Sequence, residues 1–151
     1  MKKRLLGWAL VLALVFSTST AQAAVMVEDG DTFFTVESVG NQEISPLAVT
    51  ALTLDGLKSG GYKYSSSTYY VSGEDSYIQI QQLTWWEPVN DIVVGWYNTQ
   101  THKYYGLAYS GGNISNRTIS SEGVPDGMYK IYVKNAGSDT LQSGTLQYSV
   151  E

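Results

Sequence analysis

The fold of this chain depends on residues 77–109, which read YIQIQQLTWWEPVNDIVVGWYNTQTHKYYGLAY. The stretch contains Trp85, Trp86 and Trp96, which are all the tryptophans outside the first 23 residues, and five of the twelve tyrosines. Aromatic and β-branched residues favour strands, and short polar segments separate the apolar ones. We therefore expect this stretch to form the centre of a β-sheet.

The first strand of this stretch alternates between apolar and polar residues, but the phase of the alternation changes part-way. Ile78 and Ile80 share one side of an extended chain, whereas Leu83 lies at an odd position and would face the other side. If all three face one core, the strand needs a bulge near Gln81 and Gln82. Without a bulge, both sides of the strand must be covered.

Several hairpins are expected from the turn signals in this part of the chain. The loop 87–91 separates the first strand from a second one at 92–97, and the turn 98–102 leads to a third at 104–109. Another hairpin is expected from 128–135 and 141–150, on either side of Ala-Gly-Ser-Asp at 136–139. Consecutive strands joined in this way are expected to pair with each other.

The remaining strands complete an all-β prediction. Short strands are expected at 32–39, 62–64, 67–72 and 114–120. The segment LAVTALTL at 47–54 leaves two readings open, because Ser-Pro before it is typical of a helix start whereas its threonines and valine favour a strand, which we prefer. Eight or nine short strands predict a single-domain antiparallel β-sandwich over residues 24–151, either Ig-like or jelly-roll-like.

Residues 1–23 have the three parts of a secretory signal peptide. Basic residues at 2–4 precede an apolar run at 5–16, and Ala-Gln-Ala at 21–23 provides a cleavage site. The apolar run is shorter than the roughly 20 residues that a membrane-spanning helix needs. We expect cleavage after Ala23 and a secreted protein, extracellular or associated with the cell surface, with no membrane insertion.

Composition excludes several functional classes. The chain has no cysteine and one histidine, so thiol chemistry, disulfides and typical zinc sites are not expected. Loss of the three basic leader residues leaves six Lys and Arg against 14 Asp and Glu, a formal charge of −8. Such an acidic protein is a poor partner for nucleic acid.

Neither a cofactor nor a metal ion is predicted. The acidic patch at 28–31 could offer oxygen ligands to Ca²⁺, but its spacing does not fit an EF-hand loop, and a solvated terminus is preferred. His102 lies in a predicted turn, where we expect it to be solvated. A Ser-His-Asp triad would have to use it, and the sequence has no Gly-x-Ser-x-Gly motif.

One enzymatic alternative remains, a small glycoside hydrolase. Such an enzyme needs two carboxylates about 5–9 Å apart, and Glu87 and Asp91 flank the loop after the tryptophan pair. Polar residues that close a loop are the commoner explanation of this pattern. We therefore keep a non-enzymatic protein as the leading hypothesis.

The aromatic residues are the main indication of a binding function. Trp and Tyr rings suit both stacking on sugars and anchoring of protein interfaces. Of two consecutive strand residues only one can face a single-sided core, so one ring of each aromatic pair is covered by a neighbour or exposed. The leading hypothesis is a binding protein whose ligand is an extracellular protein or a cell-wall polymer, and the alternative is a carbohydrate-binding module that uses exposed Trp and Tyr to bind polysaccharide. Self-association through a tyrosine-rich edge is also expected as an option. The candidate binding residues are Trp85, Trp86, Trp96, Tyr104 and Tyr105.

Overall fold

A computed structural model of the protein describes residues 48–73 and 75–151, and this part of the chain is all β. The predicted leader, the acidic patch at 28–31 and the predicted strand at 32–39 lie outside the described residues. The described part has no helix long and apolar enough to cross a bilayer. Its strands are β1 (Thr50–Thr53), β2 (Tyr62–Tyr64), β3 (Tyr69–Val71), β4 (Tyr77–Trp85), β5 (Ile92–Asn98), β6 (Tyr104–Tyr109), β7 (Asn113–Ser120), β8 (Gly127–Asn135) and β9 (Gly144–Val150).

The strands form two antiparallel sheets. The four-stranded sheet has the order β1-β9-β4-β7, and the five-stranded sheet has the order β2-β8-β5-β6 with β3 also paired to β8. Strands β2 and β3 lie end to end along one edge of β8, because β2 pairs with residues 132–134 and β3 with residues 127–129. Within the segment 47–54, residues Thr50–Thr53 form strand β1, as preferred over a helix.

One hydrophobic core lies between the inner faces of the two sheets. It combines apolar side chains of the four-stranded sheet, such as Ile80 and Leu83, with those of the five-stranded sheet, such as Val94 and Ile131. All four of these side chains have no solvent-exposed surface. The arrangement is consistent with a β-sandwich, in which the alternation of strand residues gives each sheet an inner and an outer face.

The pairing of consecutive strands was predicted correctly in one place and wrongly in two. Strands β5 and β6 form the expected hairpin. In contrast, β4 pairs with β7 and β9, and β8 pairs with β2, β3 and β5, so neither β4–β5 nor β8–β9 is a hairpin. The loops 86–91 and 136–143 instead carry the chain from one sheet to the other, across the roughly 10 Å that separates packed sheets. Residues 77–109 thus supply an interior strand to each sheet rather than the centre of one.

Of the two alternatives for β4, the structure has the bulge. Relative to β9, the register of β4 shifts between Ile80 and Gln82, so Gln81 is the extra residue. On the β7 side, Gln81 faces Asn116, whose φ of 52° lies in the left-handed region. As a result, the residues on both sides of the bulge, including Ile80 and Leu83, have inward-facing side chains.

Candidate ligand-binding surface around Trp86

The five predicted binding residues lie in different environments. Three belong to the core, where no ring face can contact a ligand: Trp85, Trp96 and Tyr105 have at most 5% of their surface exposed. Tyr104 is partly buried on the outer face of the five-stranded sheet. Trp86 has 66% of its surface exposed. Of the three tryptophans, Trp86 is thus the one that offers its ring to solvent.

The alternation of β4 accounts for the opposite environments of Trp85 and Trp86. Trp85 is paired with Gly144 and points inward, and its indole Nε1 donates to the carbonyl oxygen of Asn90 at 3.0 Å. The next residue continues the ladder with β9, since the backbone N–H of Trp86 donates to the carbonyl oxygen of Ser143 at 2.9 Å. Trp86 therefore lies on the same side of the sheet as Thr84 and points outward.

The segment that follows, residues 86–91, is here named the Trp86 loop, and hydrogen bonds hold it in place. The Glu87 carboxylate accepts from the backbone N–H of Gln142 at 3.0 Å, and the Glu87 carbonyl accepts from the N–H of Asn90 at 3.0 Å. Glu87 has a φ of 62°, a conformation that costs a non-glycine residue about 1 kcal/mol or more. The surrounding contacts keep the loop in this strained shape.

Asn90 attaches the Trp86 loop to the loop 136–143. Its side chain is 1% exposed, and its Nδ2 donates to the carbonyl oxygen of Asp139 at 2.8 Å while its Oδ1 accepts from the Asp139 N–H at 3.3 Å. Gly137 packs so closely that a Cβ there would overlap the Asn90 side chain. The two loops are therefore attached to each other at Asn90.

The carboxylates proposed for a hydrolase take part in the structure of these loops. Glu87 binds a backbone amide, as described, and the carbonyl oxygen of Asp91 accepts from the N–H of Ala136 at 2.8 Å. The described residues contain no group of three or more His, Asp or Glu side chains placed to hold a metal ion. The hydrolase stays a prediction without further support. His102 is exposed, as expected, and its Nδ1 is 2.7 Å from the hydroxyl of Tyr97.

Beside Trp86 lies the outer face of the four-stranded sheet, which carries hydroxyl and amide side chains in cross-strand rows. The register places Thr53, Thr145, Thr84 and Asn113 in the row nearest Trp86. The next rows contain Ala51, Gln147, Gln82 and Ser115, then Ser149, Gln79 and Thr118. These eleven residues are named the polar face.

The outer face of the five-stranded sheet is covered by aromatic rings in mutual contact. The centroids of Tyr97 and Tyr104 are 4.8 Å apart, and those of Tyr62 and Tyr104 are 5.0 Å apart. The hydroxyls of Tyr64 and Tyr104 form a hydrogen bond of 2.7 Å. This tyrosine cluster consists of Tyr62, Tyr64, Tyr97, Tyr104 and Tyr132.

The tyrosine cluster fills space that glycines leave on the sheet. Gly95 and Gly106 are directly opposite each other in β5 and β6, and a Cβ on Gly106 would overlap the hydroxyl of Tyr132. Tyr132 thus lies over Gly106, and it is 2% exposed although it points away from the core. Most ring surface in the cluster is used in contacts within the protein, so Tyr104 has a packing role there.

Burial also governs the titration of the aromatic residues in the core. Loss of hydration raises the pKa of the hydroxyls of Tyr105, Tyr129 and Tyr148. Burial raises the pKa of Tyr109 in the same way, and the positive charge of Arg117 opposes this effect. These hydroxyls are therefore neutral across the physiological pH range.

No protein-family model matches this chain, and no curated protein and no solved structure is significantly similar to it. The functional interpretation accordingly depends on the residues of the molecule itself.

Proposed function

We propose that this protein is a secreted, non-enzymatic binding protein that attaches to polysaccharide outside the cell through Trp86. The main support for the proposal is that Trp86 is 66% exposed on a loop held by hydrogen bonds. An indole ring offers a flat apolar face and an N–H donor, which suits stacking on a sugar ring. The signal-peptide pattern of residues 1–23 supports export.

The rigidity of the Trp86 loop favours binding. Ordering a flexible loop on association costs free energy, and a loop already held in one conformation avoids that cost. The hydrogen bonds of Glu87 and the buried Asn90 hold the backbone beside Trp86 in one conformation, although the φ of Glu87 is strained. Strain of this kind is found preferentially at functional sites.

The surroundings of Trp86 favour a polysaccharide over a protein ligand. Protein interfaces usually have an apolar centre inside a polar rim. The apolar Val89 is confined to the loop itself, and the sheet beside Trp86 offers hydroxyl side chains, with Ser143 opposite it and Thr84 on the same side of β4. Such groups can donate and accept hydrogen bonds with the hydroxyls of a sugar.

We also infer that the scaffold is the jelly-roll rather than the Ig-like form of a β-sandwich. In an Ig-like fold the last two strands lie in the same sheet, whereas β8 and β9 lie in different sheets here. If β2 and β3 count as one strand position along β8, there are eight positions in two sheets of four. A double sheet of eight strands is the pattern of a jelly roll.

Retention of the mature protein on insoluble cellulose, chitin, starch and xylan tests the proposed function. We expect retention on at least one of them, and Trp86→Ala should weaken it about tenfold or more, as expected for loss of a dominant aromatic contact. Val89→Ala is the matched control, because Val89 is an apolar residue of the same loop with 81% exposure. It should leave retention unchanged.

Failure of the wild-type protein to bind any of these polymers would overturn the proposal, as would normal retention of Trp86→Ala. Release of soluble sugar should not be observed. Sugar release that disappears in Glu87→Gln would support the hydrolase instead.

A further inference from the structure

We infer that the ligand is an uncharged, linear polysaccharide that lies along β4 on the polar face, with Trp86 in contact with one end of the bound segment. This inference depends on the proposed function and extends it to the class of polymer and the extent of the site. It arises from the position of Trp86 relative to the polar face. Trp86 extends the outward series of β4 that contains Thr84 and Gln82, so the ring and the polar side chains belong to one surface.

The three rows of the polar face contain no charged side chain. Edge strands often carry charges that prevent pairing with other chains, and here the outward side chains of β1 and β7 in these rows are uncharged. Among the described strand residues of the four-stranded sheet, Arg117 is the charged one, and it lies on the inward-facing side of β7 near Tyr109. The next outward row, beyond Gln79 and Ser149, contains Glu151, which is opposite Tyr77 and whose carboxylate accepts a hydrogen bond from the Tyr77 hydroxyl. The three rows themselves are free of formal charge.

A surface without charged side chains favours an uncharged ligand. An anionic polysaccharide needs cations at its binding site, and Lys130 and Lys134 belong to the outer face of the opposite sheet. A neutral polymer has hydroxyls that amide and hydroxyl side chains can match in both hydrogen-bonding roles. No ionised group of the rows then has to lose its hydration on binding.

The size of the surface fits a chain of several sugars. The seven-residue interval from Gln79 to Trp86 extends over roughly 20 Å at the rise of a β-strand. Some of the side chains along it are already ordered, since Thr118 donates to Gln79 at 2.6 Å and Gln81 donates to Ser149 at 2.9 Å. Gln82 and Gln147 are exposed and directly opposite each other in the register. They lie at the middle of the path that the polymer would take.

The test is the affinity for soluble oligosaccharides of increasing length, prepared from whichever neutral polymer retains the protein. We expect the affinity to rise with each added sugar until the chain covers the polar face. The double variant Gln82→Ala with Gln147→Ala should lower the affinity for the longest oligosaccharide about tenfold and leave that for a disaccharide within twofold. Gln100→Ala is the matched control, an exposed amide in the β5–β6 turn, and should change neither.

The outcomes separate this inference from the proposed function. If Trp86→Ala abolishes binding but affinity does not depend on chain length, the inference is wrong and the proposed function stands. If polygalacturonate, an anionic polymer, binds more tightly than neutral ones, the inference is also wrong. If the wild-type protein binds none of the polymers, both are wrong. Folding of each variant is checked by its urea unfolding midpoint.

Discussion

The outer faces of the two sheets differ in how their surface is used. On the five-stranded sheet, tyrosine rings contact one another above glycines, and the hydroxyls of Tyr64 and Tyr104 bind each other. On the four-stranded sheet, short hydroxyl and amide side chains stand in rows, and Gln82 and Gln147 are exposed. Aromatic content alone therefore does not locate a binding surface, because the rings of the tyrosine cluster pack against one another.

This contrast leads to different energetic consequences of substitution on the two faces. Residues of the tyrosine cluster and the glycines beneath it should be important for stability. Residues of the polar face should be nearly neutral for stability and important for binding. Substitutions on the two faces should therefore differ in their effect on the free energy of unfolding.

The largest effect is expected for Gly95→Ala in β5. A Cβ at Gly95 would overlap the carbonyl oxygen of Tyr105 and the Cα of Gly106, and backbone atoms of a paired strand cannot move away as a side-chain end can. We expect a loss of about 4 kcal/mol or more in the free energy of unfolding. Urea denaturation followed by tryptophan fluorescence measures this loss.

Gly60→Ala is the matched control for this substitution. Gly60 has a φ of 69° and nothing within 4 Å of the position of a Cβ, so the cost is conformational and about 1 kcal/mol. If Gly95→Ala and Gly60→Ala lower the free energy of unfolding equally, the close approach of β5 and β6 is not the reason for glycine at position 95.

An intermediate effect is expected for Tyr132→Ala in the tyrosine cluster. Tyr132 is 2% exposed and contacts the ring of Tyr104 at a centroid distance of 5.0 Å, so its removal should cost about 3 kcal/mol, as in a core. Gln147→Ala on the polar face should cost less than about 0.5 kcal/mol. The contrast between the faces fails if the two urea midpoints shift by similar amounts.

The smallest effect is a decline in stability at alkaline pH. Burial raises the pKa of Tyr105, Tyr109, Tyr129 and Tyr148 above the ordinary value near 10. Above about pH 10 the unfolded chain therefore binds fewer protons than the folded one, and the free energy of unfolding falls as pH rises. Below this pH the contribution is fully present. Urea midpoints measured between about pH 8 and pH 11 should show the decline.

Tyr109→Phe measures the contribution of a single tyrosine to this decline. Three of the four tyrosines, including Tyr109, belong to the five-stranded sheet. Because the substitution removes one titrating group, it should reduce the loss of stability at alkaline pH. A midpoint that is constant from neutral to alkaline pH would contradict the assignment of raised pKa values to the core tyrosines.

Local features of the fold could be read from the sequence. The phase change between Ile80 and Leu83 left a bulge near Gln81 or coverage of both sides as the alternatives, and the structure has the register shift of a bulge there. The consecutive tryptophans predicted one inward and one outward ring, and Trp85 and Trp86 have that arrangement. Both features depend only on the alternation of residues along one strand.

Features that depend on strand partners could not be read from the sequence. The tyrosine cluster combines residues of β2, β5, β6 and β8, and the polar face combines β1, β4, β7 and β9. Alternation identifies the outward residues of each strand, but it does not say which strands share a sheet. Residues 76–86 contain no charged side chain, but β5, β6 and β9 contain none either, so this property does not single out β4 in the sequence.

The single extra residue at Gln81 decides which tryptophan is available to a ligand. With Gln81 in place, Ile78 and Trp85 face the core on either side of the bulge. If β4 alternated regularly through Gln81 without a bulge, with the pairing of Ile78 kept, every side chain that follows would face the opposite side. Trp86 would then be directed into the core and Trp85 toward solvent. A backbone irregularity five residues away thus determines which of the two tryptophans is exposed.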